Sequence, residues 1–252
     1  MKIVIATPTI TRPHPRYLEA LEASVPALEA EGWEHFTTFE IGSPYISHAR
    51  SKMLRRALDA KCSMVIFIDH DLSWRPEDLV KLIKTPGWVV AGTYRFKIPP
   101  EQVGSESPDM GKLYPSHDGR PIVREDGAVR AQWVPAGFLK VTHEAVDAFM
   151  RAYPDLTYGP LWGPHVDLFN HGARGGTWFG EDYSFSQRWN DMGKQLWVVP
   201  DLELTHWDGD TPYPGNYHQW LSEQPGGAND QNRVWVLPEV AAGATLKFAG
   251  AA

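Results

Sequence analysis

Two rhythms of apolar residues alternate along the first part of the chain. Residues 2–6 (KIVIA) form an unbroken β-branched run that stops at Thr7-Pro8-Thr9, the signature of a buried strand. Leu18, Leu21, Val25 and Leu28 then recur at helical spacing and predict a helix over 16–31, which Pro26 should kink or end. Residues 36–41 (FTTFEI) alternate as a strand. Residues 47–61 place Ala49, Met53, Leu54, Ala57 and Leu58 on one helical face. Residues 64–68 (MVIFI) are apolar throughout and end at Asp69-His70-Asp71. Arg75-Pro76-Glu77-Asp78 opens a short helix through Ile83, with proline near its start, and residues 88–91 read as a further strand. Strands alternating with helices predict an α/β fold, and wholly apolar strands predict a mostly parallel central sheet with helices on both faces. Functional residues are then expected at the carboxyl ends of the strands.

The second half changes character. Residues 99–127 are rich in Pro, Gly and charge and predict a long excursion or small hairpin. Residues 132–142 (QWVPAGFLKVT) predict a strand with an irregular Pro-Ala-Gly start, followed by a helix over 143–153. Residues 154–180 hold many Gly, Pro and aromatics and predict a mobile loop over a site. A helix over 181–192 and a strand over 196–199 follow; beyond Trp207 the chain is loop-rich, with 226–229 expected as a disordered turn.

Composition narrows the class. With 252 residues, 42% hydrophobic and 22% charged, the chain is suited to one globular domain rather than to disorder. A net charge of −7 argues against a generally basic nucleic-acid binder, although Arg55, Arg56, Lys61 and residues 120–130 offer local positive charge. The single cysteine, Cys62, excludes a disulfide framework or a cysteine zinc site. The opening MKIVIATPTI lacks the layout of a signal peptide, and no apolar run approaches the roughly 18 residues of a membrane span. The expected location is therefore the cytoplasm. Eleven tryptophans are many for this length, and such side chains pack cores or stack on flat ligands.

Several groupings can carry chemistry. Asp69 and Asp71 are two apart on extended chain and so face one side; paired hard oxygens suit Mg²⁺ or Mn²⁺ bound with phosphates, or simply make a solvated turn. Glu181-Asp182 opens a helix, where a carboxylate can serve as a base toward a hydroxyl or as an ordinary cap. His206, just after a strand, can complete a cation's shell with Asp71 or be a satisfied histidine. His165, Asp167 and His171 offer a further His/Asp group, though at no helical metal spacing. Arg50 and Lys52 can approach a diphosphate, and Thr7-Pro8-Thr9 sits where a nucleotide would lie. There is no P-loop, no GxGxxG and no nucleophile elbow, which weakens kinase, dehydrogenase and hydrolase readings.

In order, the segments IATPT, SHARSKMLRRAL, MVIFIDHDLSWRPEDLVKLI, VVAGTYRFK, PAGFLKVTHEAV, GEDYSFSQRWNDMG and LTHW resemble the GT-A (Rossmann-like) glycosyltransferases, closest to small family 2-like enzymes of bacteria and their phages. The resemblance covers about residues 1–207 and rests on order and strand-end position rather than on any single motif. It implies one domain over 1–252, with a nucleotide-sugar-binding half over 1–98, an acceptor and catalytic half over 99–207 and a loop-rich tail over 208–252. It implies a nucleotide-diphosphate sugar donor, a divalent cation (Mn²⁺ or Mg²⁺) and a hydroxyl acceptor on a glycan, a protein or a hydroxymethylated pyrimidine of phage DNA. Thr7, Pro8, Thr9, Arg50 and Asp69 would contact the nucleotide. Asp71 and His206 would hold the cation, with Asp69 reaching the ribose or the cation through water. Asp182 would be the base of an inverting transfer, with Glu181 orienting the acceptor. Ala136, Gly137 and Phe138 would floor the donor-sugar site, with Lys97 and Trp178 as donor or acceptor contacts and Trp133, Trp162 and Trp207 as further stacking candidates. The centre of the acidic motif is His70, a departure of small consequence because that position points away. Two other classes compete: a nucleotidyltransferase, disfavoured because TPTITRPHPR after the first strand lacks glycine, and a non-catalytic nucleotide- or carbohydrate-binding protein, which would have no need of the base.

Overall fold

A computed structural model describes residues 1–98, 110–114 and 121–215, with the backbone of 234–236 and 246–247. The first half runs β1 (Lys2–Thr9), α1 (Pro15–Ala30), β2 (Glu34–Ile41), α2 (Ile46–Asp59), β3 (Met64–Ile68), β4 (Leu72–Ser73), α3 (Pro76–Lys84) and β5 (Val89–Gly92). Then come β6 (Lys112–Leu113), β7 (Ile122–Arg124), β8 (Val129–Trp133), β9 (Phe138–Thr142) and α4 (His143–Ala152). A 3₁₀ turn (Pro154–Leu156) leads to β10 (Thr157–Tyr158), β11 (His165–Val166), β12 (Gly172–Arg174), β13 (Thr177–Phe179) and α5 (Glu181–Asp191). The remaining strands are β14 (Leu196–Val199), β15 (Leu204–Asp208), β16 (Thr211–Gly215), β17 (Val234–Val236) and β18 (Leu246–Lys247).

The main sheet has the order β18-β17-β7-β8-β14-β5-β9-β3-β1-β2, with β6 also paired to β8. Most strands run in one direction; β9, β8 and β18 run against them. Side chains alternate across the strands, and this divides the core into two layers. Val65 and Phe67 of β3 pack with Met53 and Leu54 of α2, Phe149 of α4 and Trp189 of α5. Ile66 and Ile68 face the other way, toward Tyr17 and Leu28 of α1 and Leu79 and Leu82 of α3. The continuous apolar run of β3 is thus the run of a strand covered on both faces.

Charged groups are also buried in the sheet. Lys140 of β9 donates to the backbone carbonyls of Ile83 (3.2 Å) and Thr85 at the end of α3. Burial, with help from Arg124, pulls its ammonium down to about 7. Arg124 lies 4.4 Å over the Trp197 ring and is held by Asp126 and the Pro86 carbonyl.

Four sequence expectations change. Pro26 does not end α1: the helix continues to Ala30, its end closed by the Glu31 amide on the Ala27 carbonyl and its last turn anchored by buried Leu28. Residues 132–142 are two strands separated by residues 134–137, because β8 and β9 lie on opposite sides of β14 and β5. Residues 154–180 form two small hairpins, β10-β11 and β12-β13, rather than an open loop. They are fastened to the helices: Arg55 donates to the Pro164 carbonyl (3.0 Å) and Arg188 to the Asn170 carbonyl (2.7 Å). Beyond Trp207, β16 pairs with β15, and β17 joins β7, so the tail adds strands. The expected turn at 226–229 lies outside the described residues.

Gly92 ends β5 where sheet and β15 converge. A Cβ there would stand 2.9 Å from side-chain carbons of Leu202, Leu204 and Phe138 at once. Gly92→Ala is therefore expected to destabilise the protein by about 1–3 kcal/mol, the usual range for overpacking. Urea unfolding checks this; a change below about 0.5 kcal/mol would mean the site can relax.

Candidate active site

The carboxyl end of β3 delivers Asp69 to a place already filled by a cation. Arg50, on the inner face of α2, is 1% exposed. Its Nη2 donates to Asp69 Oδ1 at 2.9 Å and its Nη1 to the Ala136 carbonyl at 3.0 Å. The guanidinium lies 5.8 Å from the Phe67 ring and 5.2 Å from the Phe169 ring. Asp69 also accepts from the Tyr94 hydroxyl at 3.3 Å, while its amide donates to the Gly137 carbonyl at 2.9 Å. Gly137 must be glycine here, because a Cβ would fall 2.2 Å from the Tyr94 hydroxyl and 2.3 Å from Asp69 Oδ2. Burial pushes the Asp69 carboxyl up, against the pull of Arg50 and with the repulsion of Asp71 and Glu181.

Asp71 sits one turn further on, where β15 docks. His206 pairs with Leu72 across β4 and β15, and the Trp207 amide donates to the Asp71 carbonyl at 2.8 Å. That register brings His206 Nε2 to 3.4 Å from Asp71 Oδ2. The other ring nitrogen, Nδ1, is 2.9 Å from the Arg95 carbonyl, which can only accept, so Nδ1 carries a proton. Nε2 therefore faces Asp71: with a proton it donates to the carboxylate, and without one it presents a lone pair to a cation shared with that oxygen. Lys97 Nζ donates to the same Asp71 oxygen at 2.5 Å. Burial alone would raise the Asp71 carboxyl, but the hydrogen bonds from His206 and Lys97 overcome it and hold the group well below the usual range.

The N-terminus of α5 closes the other side. Asp182 lies in its first turn and accepts from the Tyr183 amide at 2.7 Å. A helix N-terminus favours the anion, yet burial first, and the Glu181 charge second, push Asp182 up to about 6. The charges of Arg50 and Asp69 act on Asp182, and those of Asp69 and Asp182 both act on the Tyr94 phenol. The end of β3 and the start of α5 therefore lie near enough for their charges to act on one another.

Other expected residues are placed as follows. Thr7 is hydrogen-bonded to the buried Tyr17 hydroxyl at 2.5 Å, whereas the Thr9 hydroxyl is buried with no partner among the described residues. Pro8 lies between them in β1. Lys52 is not at the cleft: it pairs with Glu40, which Arg56 also holds at 2.7 Å. Of the expected cation set, Asp69 already accepts one hydrogen bond on each oxygen, from Arg50 and from Tyr94. Among the described residues no group of three or more His, Cys, Asp or Glu stands at metal-holding spacing; Asp71 and His206 stand together as a pair. His165 stacks on Tyr158 and His171 tilts on Trp178, so the alternative His/Asp group is not assembled. Trp207 stacks on His14 and bonds Ser73, a packing role. Trp162 and Trp178 are 91% and 70% exposed, and Trp133 meets Tyr183 edge-on. Sequence reasoning missed Tyr94 and the Arg95 carbonyl; their position just past β5, at a strand's carboxyl end, was the available signal.

No protein-family model and no curated protein matches the chain. Solved structures do. One is GalNAc-T7 with UDP, GalNAc and Mn²⁺, 14% identical with a TM-score of 0.40 over 83% of this chain and 45% of that one. Another is a glycosyltransferase involved in the glycosylation of the major capsid of PBCV-1, 10% identical with a TM-score of 0.33 over 61% of this chain and 66% of that one. The chain thus spans under half the length of the first of these proteins. Among the described residues no helix is long and apolar enough to cross a membrane.

The Asp182 shift has a measurable consequence. A carboxyl raised in the folded state holds its proton more tightly there than in the unfolded chain, so its contribution to stability is present below about 4 and lost as pH rises through about 6. Unfolding free energies measured from pH 4 to 7 are expected to fall more in the native protein than in Asp182→Asn. Parallel curves would place the carboxyl in an ordinary, solvated environment.

Proposed function

We propose that this chain is a GT-A-type glycosyltransferase of the family 2-like kind, moving a sugar from a nucleoside diphosphate donor to a hydroxyl acceptor on a glycan, a protein or a modified pyrimidine. The observation that carries the reading is the placement of Asp71 Oδ2 3.4 Å from His206 Nε2 at the end of β3, with Glu181 and Asp182 at the start of α5 within electrostatic reach of Asp69. Asp71 is held anionic beside His206, and Asp182 is held back from ionising on the facing helix. Groups whose environments drive their proton affinities apart mark an acid–base division of labour.

The donor set at Asp71 and His206 fits a divalent cation: one carboxylate oxygen and one imidazole nitrogen whose tautomer is fixed by the Arg95 carbonyl. Two protein ligands leave room for diphosphate oxygens and water, the usual manner of holding Mg²⁺ or Mn²⁺. The cation, when bound, supplies positive charge to the departing diphosphate. Asp69 and the unpartnered Thr9 hydroxyl face the nucleotide. Arg50 acts through Asp69 as a positioning residue, since it is itself enclosed. Ala136 and Gly137 bring bare backbone close to the donor sugar. Asp182 takes the proton of the acceptor hydroxyl from the side opposite the leaving group, which makes the transfer inverting, while Glu181 orients the acceptor. The exposed Trp178, four residues before Asp182, offers a stacking face to that acceptor.

A thermal-shift screen of nucleoside diphosphates and sugar nucleotides, with and without Mn²⁺, tests this. Ligand at 100 times its Kd stabilises by about 2.7 kcal/mol when it binds only the folded state. The expected shift needs nucleotide and Mn²⁺ together, is lost in Asp71→Ala and survives in Asp182→Asn, which loses transfer. No shift with any nucleotide would overturn the reading. Full transfer by Asp182→Asn would remove the assignment of the base.

A further inference from the structure

Residues 94–97 cross the cleft as a strap and touch three of its members in turn. The Tyr94 hydroxyl meets Asp69, the Arg95 carbonyl fixes His206, and the Lys97 ammonium meets Asp71. Lys97 Nζ stands 2.5 Å from Asp71 Oδ2, the oxygen that His206 Nε2 approaches at 3.4 Å. This is the corner a divalent cation would have to enter. The pair is well covered, with Lys97 29% and Asp71 17% exposed, so water screens it only in part.

We propose that Lys97 is an internal counter-cation that occupies the metal corner of the free protein and exchanges from Asp71 to the donor's diphosphate when the divalent cation arrives. The inference rests on the cation reading of Asp71 and His206. The cleft gathers Asp69, Asp71, Glu181 and Asp182, whose charges act on one another. Arg50 answers Asp69. Lys97 answers Asp71 and holds that carboxylate in place before any metal binds. A divalent cation on the same oxygen would then stand at contact distance from the ammonium, and like charges so close repel. The ammonium must leave. Its four-carbon stem is flexible, and the diphosphate that shares the cation provides a new anionic partner. Metal alone thus binds against the loss of an ion pair, whereas metal with diphosphate recovers it. The exchange couples the two ligands, and it favours binding of the complete donor over loss of bare metal into an empty cleft.

The test measures Mn²⁺ binding, by electron paramagnetic resonance of the free ion, in the native protein, Lys97→Met and Lys97→Arg, with and without inorganic pyrophosphate. For Mn²⁺ alone, Lys97→Met is expected to bind about tenfold more tightly than the native protein, with Lys97→Arg close to native. Pyrophosphate is expected to tighten Mn²⁺ binding strongly in the native protein and several-fold less in Lys97→Met. Equal or weaker Mn²⁺ binding by Lys97→Met, with binding still abolished by Asp71→Asn, overturns the exchange while leaving the cation reading intact. Pyrophosphate binding that depends on Lys97 and ignores Mn²⁺ overturns it too, because the lysine would then replace the metal rather than yield to it. Absence of any Asp71-dependent Mn²⁺ binding in all three proteins overturns the cation reading itself, and the exchange with it.

Discussion

The cleft depends on a guanidinium sealed under the end of a strand. Arg50 comes from α2, its partner Asp69 from the end of β3, its second acceptor from the bend before β9, and the rings around it from β3 and the segment after β11. Four pieces distant in sequence are fixed by one charge. Removing one member of such a buried pair leaves an uncompensated charge and typically destabilises by about 3–5 kcal/mol. The constraint reaches further through Gly137, whose bare backbone is pressed against Asp69 and Tyr94. With Asp69 committed in this way, Asp71 alone of the two motif carboxylates stands beside the imidazole of β15.

The same architecture creates two carboxyls with opposite tendencies. Asp71 is buried but twice hydrogen-bonded by positively charged or protonatable groups, and it stays ionised. Asp182 receives one backbone hydrogen bond and a helix N-terminus, which together fail to offset burial and the neighbouring Glu181. Desolvation acts on both; Asp71 has side-chain hydrogen bonds from His206 and Lys97 to offset it, and Asp182 has only the more distant charge of Arg50. In the proposed reaction the first would hold the metal and the second would take the acceptor's proton.

Much of this was legible in the sequence, for local reasons. The runs of β1 and β3 are strand-like because both faces are covered, the 3.6-residue spacing of α2 marks its buried face, and Asp69 and Asp71 follow directly on the end of β3, where the apolar run stops. What the sequence hid was non-local. Nothing in QWVPAGFLKVT reveals that its two halves flank β14 and β5 and that β9 runs against its neighbours. The hairpins of residues 154–180 exist because Arg55, Arg188 and buried Phe169 hold them, contacts made across the fold. Asp69 and Lys52 were read as free to meet a ligand; each is claimed by an opposite charge that only folding brings near. Tyr94 was overlooked because a lone tyrosine past a strand carries no motif.

In the proposed function Asp71 and the imidazole of His206 share one cation at the end of β3. Pulsed electron paramagnetic resonance of Mn²⁺ bound with a nucleoside diphosphate addresses it directly, since a coordinated imidazole nitrogen modulates the electron spin echo. A ¹⁴N modulation from directly bound nitrogen is expected, disappearing in His206→Gln, with loss of Mn²⁺ binding in Asp71→Asn. Bound Mn²⁺ with no nitrogen in its shell, or with a nitrogen signal that survives His206→Gln, would contradict it.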